Sequence, residues 1–128
     1  MKERDLQSIL SRLIPAYLDY SAAFELKMAR TNSLPFSALL EHQEHSLLTA
    51  KNSKVFFKIP DLGNSNPFDC FMLAHVPSFV VICYYIPRQP KEFLFLDIEK
   101  FVDERDHSVR KSLTKQRAIE ISSLILMA

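Results

Sequence analysis

The segment that most constrains this chain is CFMLAHVPSFVVICYYIP, Cys70 to Pro87, which contains no Lys, Arg, Asp or Glu. A bilayer span needs about 20 predominantly apolar residues, and His75, Pro77 and Ser78 interrupt this one. It therefore reads as two strands, Phe68–Ala74 and Phe79–Tyr85, joined by a turn. Both are apolar almost throughout instead of alternating, which is expected of strands buried on both faces. Such strands need cover on each side of the sheet, and the rest of the chain offers helices to supply it.

The first helix is predicted over Asp5–Leu18, where Leu6, Leu10, Leu13, Ile14 and Tyr17 recur at three- and four-residue spacing. Pro15 kinks it or ends it early. A strand follows at Ala23–Met28, with Phe24, Leu26 and Met28 on one face and Glu25 and Lys27 on the other. Ala29–Phe36 reads as a loop. Ser37 is a candidate N-cap for a helix over Ala38–Lys51. Strands are expected at Val55–Ile59 and Phe93–Ile98, besides the two apolar runs. The mixed-charge stretch EKFVDERDHSVRKS precedes a last helix within LTKQRAIEISSLI, capped by Ser112 or Thr114. Ile119, Leu124, Ile125 and Leu126 make that helix apolar enough for core or interface. The 128 residues read as one domain, 1–128, of α/β class, with a mixed central sheet flanked by helices.

Composition removes several function classes. Lys+Arg 16 against Asp+Glu 15 excludes a general polycation, so nucleic-acid binding would rest on local clusters. One glycine, Gly63, cannot build a glycine-rich phosphate loop or a G-x-S-x-G nucleophile turn. Cys70 and Cys83 lie in apolar runs without Cys-x-x-Cys spacing, which argues against a zinc ribbon or a dithiol redox site. His42, His45 and Glu41 neighbour one another on a helix but lack the further ligands a zinc site needs. The charged start, MKERDLQSIL, has no apolar signal region. The expected setting is a reducing cytoplasm, with no membrane association.

Three positions carry candidate chemistry. Glu25 and Lys27 are two apart on a strand, so their side chains face one way, roughly 6–7 Å apart along the backbone. A carboxylate there can hold a divalent cation, with an ammonium beside the phosphate under attack. The Leu26 backbone carbonyl between them is a further hard oxygen donor. A solvated surface strand would carry the same triplet. Gln43 falls in the stripe Leu39–Gln43–Leu47–Ala50. An inward amide there costs about 1–3 kcal/mol unless it finds partners. Asp69, near the start of an apolar strand, must likewise be paired, metal-bound or used to cap the preceding turn.

FELK, a polar loop and then ALLEHQEHSLL resemble the catalytic strand and its succeeding helix in Holliday junction resolvases of the PD-(D/E)xK nuclease superfamily. SLPFSALLEHQ, FFKIPD, NPFDCFML and RKSLTKQRAIEI are similar to small phage-type resolvases, and the likeness covers roughly residues 20 to 123. It implies a restriction-endonuclease-like fold. It makes Glu25 a metal ligand, Lys27 the catalytic lysine and Gln43, after His42, the active-site glutamine. The superfamily's first acidic ligand ordinarily precedes the E-x-K strand. Here Asp69, in Pro67-Phe68-Asp69, is the expected substitute from a neighbouring strand, and Asp19 is the runner-up. Glu3 is the one glutamate near the position where some members use a first-helix carboxylate.

The resemblance implies hydrolysis of DNA phosphodiesters, with Mg²⁺ or Mn²⁺ on Glu25 and Asp69. Its substrate would be branched DNA and its working form a homodimer, in a bacterial or phage-infected cell. Arg30, the cluster Lys51, Lys54 and Lys58, and the pair Arg110 and Lys111 are the expected DNA contacts. Lys115 and Arg117 extend the last cluster, offset by Asp103, Glu104, Asp106 and Glu120. The alternative is a catalytically inactive nuclease fold that binds DNA or a protein partner.

Overall fold

A computed structural model describes residues 1–59 and 70–128. Its centre is a four-stranded mixed sheet built from β1 (Ala23–Ala29), β5 (Ser78–Tyr84), β6 (Glu92–Asp97) and β8 (Leu124–Met127), in the order β1-β5-β6-β8. β1 runs parallel to β5, while β5–β6 and β6–β8 are antiparallel. Every residue of β5 is buried, as its uninterrupted apolar sequence requires. Val80, Ile82, Leu94 and Leu96 fill one face beneath α2 (Glu41–Asn52), α3 (Ile98–His107) and α4 (Lys115–Ile121). Phe79, Val81, Cys83, Phe93 and Phe95 fill the other, against Leu6 and Leu10 of α1 (Glu3–Tyr17). Burying each such large side chain contributes about 1.5–3 kcal/mol. The α/β class and the helix-flanked mixed sheet are thus present. No helix among the described residues is long and apolar enough to cross a membrane.

α1 starts at Glu3, two residues before the expected Asp5. Pro15 falls in its last turn, where the helix closes with the Leu18 N–H on the Ile14 carbonyl at 2.8 Å. The segment read as a loop holds β2 (Ser33–Pro35) and a 3₁₀ turn at Phe36–Ala38. β2 pairs with β7 (Ser112–Thr114). Ser37 lies in the 3₁₀ turn, so it does not cap α2, which begins at Glu41. Thr114 does cap α4, its hydroxyl accepting from the Arg117 N–H at 3.2 Å.

Two expectations are corrected, and the mixed-charge stretch between them proves largely helical. Phe68–Ala74 is not a second doubly buried strand. Its described part, β4 (Cys70–Ala74), pairs only with β3 (Lys54–Lys58), and Phe71 and Met72 are exposed. The mixed-charge stretch forms α3, with Asp97 capping it through the Glu99 N–H at 2.9 Å. The end of the chain is not helical: Leu124–Met127 is the outer strand β8, with Leu126 buried and Ile125 exposed.

Candidate functional site

The site is built on β1 and on the start of α2. β1 lies at one end of the sheet. Parallel register pairs Glu25 with Val80 and Lys27 with Ile82, so both charged side chains stand on the face that α2 covers. Leu26, beside Val81, points to the opposite, α1 side. On that covered face the Lys27 ammonium lies 3.5 Å from Glu25 Oε1, with side-chain exposures of 12% and 28%.

Gln43 completes the group. Leu40 precedes α2 and has no capping side chain of its own. The Gln43 side chain folds back instead, its Oε1 accepting from the Leu40 N–H at 3.0 Å. That bond fixes which end of the amide is the acceptor. Nε2 is left to donate to Glu25 Oε1 at 2.9 Å. A helix start thus orients a glutamine, and the glutamine holds a carboxylate. Glu25 Oε1 takes both contacts, and Oε2 has no hydrogen-bond partner among the described residues.

The outer edge of β1 adds oxygen atoms. The Ala23 N–H and the Ala29 carbonyl bond towards β5, so odd-numbered residues of β1 turn their backbone groups inward and even-numbered ones turn theirs outward. The Leu26 carbonyl therefore lies on the outward edge. Two residues on, the Met28 N–H donates to Glu3 Oε2 at 3.2 Å. The first helix thus places a carboxylate against the strand next to Lys27, though bonded to backbone.

Beside this group lies a groove of about 600 Å³. Glu25, His42, Gln43 and Ser46 line it from β1 and α2, and Phe56 and Phe57 line it from β3. Among the described residues no three His, Cys, Asp or Glu side chains gather into a metal cage. The donors present are nevertheless hard oxygens, a carboxylate and a backbone carbonyl, of the kind Mg²⁺ takes with one or two carboxylates and phosphate. Asp69, the expected second ligand, lies outside the described residues. Asp19 sits exposed in the segment before β1, with no hydrogen bond or ion pair among the described residues.

No family model, curated protein or solved structure matches this chain. The geometry is therefore the ground on which its chemistry is read.

The basic residues divide by their partners. Lys51, one of the expected DNA contacts, is tied within the chain. Its ammonium lies 2.8 Å from both Asp97 oxygens and 3.4 Å from Glu99. Burial alone would lower its pKa, but the hydrogen bond and charge of Asp97, with Glu99, outweigh that and raise it. Arg30 is exposed and spends one guanidinium N–H on the Met1 carbonyl at 2.9 Å. Lys54, Lys58, Arg110 and Lys111 are exposed, with no ion pair among the described residues. Arg117 is held by Glu104 and Glu120, and Lys115 faces Glu92 at 3.7 Å.

One supporting contact has no clear signal in the sequence. Arg105 of α3 grips both oxygens of Glu44, at 2.7 and 3.2 Å, and so anchors the helix that carries Gln43. The pair is hidden because the charged stretch that forms α3 does not read as a helix.

Proposed function

We propose that this chain is a metal-dependent, structure-selective DNA endonuclease with a restriction-endonuclease-like fold, resolving four-way junctions as a homodimer. One observation carries the reading: the Lys27 ammonium and the Gln43 amide both lie on one oxygen of Glu25, beside an open groove. The E-x-K strand and the glutamine helix that follows it meet at this carboxylate, which supports the reading.

Glu25 and Asp69 would hold Mg²⁺ or Mn²⁺, with the Leu26 carbonyl as a further oxygen donor. The ion, when bound, supplies charge neutralisation at the phosphate and a more acidic water. Gln43 keeps Glu25 Oε1 in place and so leaves Oε2 to act as the donor. Lys27, held low beside the carboxylate, puts a positive charge where the phosphate's charge develops. Arg30, Lys54 and Lys58, all exposed, would contact flanking phosphates.

The test uses labelled four-way junctions and linear duplex with Mg²⁺, Mn²⁺ or EDTA. The expected result is metal-dependent cleavage of the junction, lost in Lys27→Ala, Glu25→Ala and Asp69→Ala. Equal cleavage of plain duplex removes the junction preference. Absence of cleavage under every metal condition refutes the enzyme and leaves the inactive binding fold. Sedimentation of the same preparation tests the dimer.

A further inference from the structure

β3 and β4 form a hairpin that belongs to neither face of the main sheet. Alternation along the strands and the register Phe56↔Met72 and Lys58↔Cys70 put Lys54, Phe56, Lys58 and Met72 on one side. Phe57 and Phe71 lie on the other, stacked on each other at 5.4 Å and 25°. Those two rings already have each other as a stacking partner, although both stay about half exposed. Phe56 has no aromatic partner among the described residues and is 65% exposed.

The charge around Phe56 selects what covers it. Lys54 and Lys58 sit two residues to either side, roughly 7 Å away each. The described hairpin residues, 54–58 and 70–74, include no Asp or Glu. An apolar protein surface laid on Phe56 would bury two ammonium groups beside the ring, a costly desolvation. A nucleotide strand offers what both features need, a base face for the ring and phosphates for the lysines. In a base-paired duplex the faces are already stacked, so the fit is to unpaired nucleotides. Phe56 also lines the groove that Glu25 and Gln43 line, so a strand seated on the ring leads into the candidate site.

We infer that the β3–β4 hairpin is a stacking platform for unpaired nucleotides of a DNA strand, with Phe56 as the base contact and Lys54 and Lys58 as phosphate contacts. The inference rests on the nuclease reading for the placement of the scissile phosphate, but its binding test is independent of cleavage.

Binding of fluorescein-labelled oligo(dT), about 20 nucleotides long, is measured by anisotropy in EDTA, against a blunt duplex of equal length. Oligo(dT) is expected to bind about tenfold tighter than the duplex. Phe56→Ala is expected to weaken oligo(dT) by about tenfold, the order of one lost stacked base. Lys54→Ala with Lys58→Ala should lower the salt slope by about 1.4, at about 0.7 per phosphate contact on a single strand. The chain has no tryptophan, so Phe56→Trp introduces a sole indole reporter, and oligo(dT) should quench it.

An unchanged affinity in a folded Phe56→Ala, or unquenched Phe56→Trp emission, overturns the platform. So does a dimer that Phe56→Ala converts to monomer while oligo(dT) affinity stays the same. If Phe56→Ala fails to fold, the Phe56→Trp quench decides alone. Phe56-dependent binding without cleavage sinks the nuclease reading and leaves the platform standing. Metal-dependent cleavage with Phe56-independent binding does the reverse.

Discussion

Removing the Gln43 side chain tests whether the carboxylate, the amide and the helix start act as one unit. Gln43→Ala deletes the bond to the Leu40 N–H and the bond to Glu25 Oε1. Loss of a capping interaction costs about 1 kcal/mol. A hydrogen bond to a charged partner contributes about 1.5–3 kcal/mol. Glu25 keeps 28% of its side chain exposed, so solvent reduces that contribution to about 1 kcal/mol. The expected loss is about 2 kcal/mol in urea unfolding. A domain of this size unfolds with an entropy of about 0.27 kcal/mol/K near 60 °C, so Tm should fall by about 7 °C. Gln43→Glu separates the two parts: it keeps an acceptor for Leu40 but sets a second carboxylate against Glu25. It should still be less stable than wild type by at least about 1 kcal/mol at pH 7. A double-mutant cycle of Gln43→Ala with Glu25→Ala should show a coupling of about 1 kcal/mol. Additivity within about 0.3 kcal/mol, or a Gln43→Glu protein as stable as wild type, would refute the shared bond.

Three further outcomes rest on the contacts of Lys51, Cys83 and His107. Lys51→Met should lose about 1 kcal/mol in urea unfolding, through the part-buried tie to Asp97, while oligo(dT) affinity stays within twofold. The opposite pattern would mark Lys51 as a DNA contact. Burial pushes the Cys83 thiol up to about 11, whereas Cys70 is exposed. A thiol reagent at pH 8 should therefore modify one cysteine in the native protein and both in denaturant, and two fast native thiols would contradict the packing of β5. His107 bonds the Asp103 carbonyl and sits beside the Asp103 carboxylate, which raises its pKa above 6.5. A raised folded pKa means the contact favours folding below pH 6.5 and stops doing so as pH climbs through the folded value. An NMR titration midpoint for His107 at or below 6.5 would refute that contact.

How much of the fold and site was legible in the sequence depended on whether burial and composition agreed. FVVICYY could only be an internal strand, and it is the buried centre of the sheet. The E-x-K alternation placed Glu25 and Lys27 on one face because strand periodicity leaves no other choice. Gln43 stood out as an amide in an apolar stripe, and the structure supplies its two partners. FDCFML misled because apolar letters do not say whether a strand has a second layer above it. Among the described residues β4 leaves Phe71 and Met72 exposed. α3 is not legible because its charges hide a short stripe, Ile98, Phe101 and Val102, behind the Asp97 cap. The backbone reversal at Ser122–Ser123, which turns α4 into β8, gave no glycine or proline to announce it. A junction preference, a bound metal or a dimer would not be a property of single residues, so cleavage and sedimentation measurements decide them.

The parallel pairing of β1 with β5 also bears on how the protein comes together. Ala23 meets Ser78 across 55 intervening steps of chain, whereas β5, β6 and β8 join by shorter antiparallel returns. Long loops must close before such a pairing yields any contact, which makes it a late event. Among the described residues β1 has a strand neighbour on one side only. The strand bearing Glu25 and Lys27 should thus dock onto an already formed β5–β6 ribbon. In native-state hydrogen exchange its amides should open ahead of those of β5. The end of the sheet that carries the candidate site would then be its last part to fold and its first to loosen, with the hydrophobic centre intact while it does so.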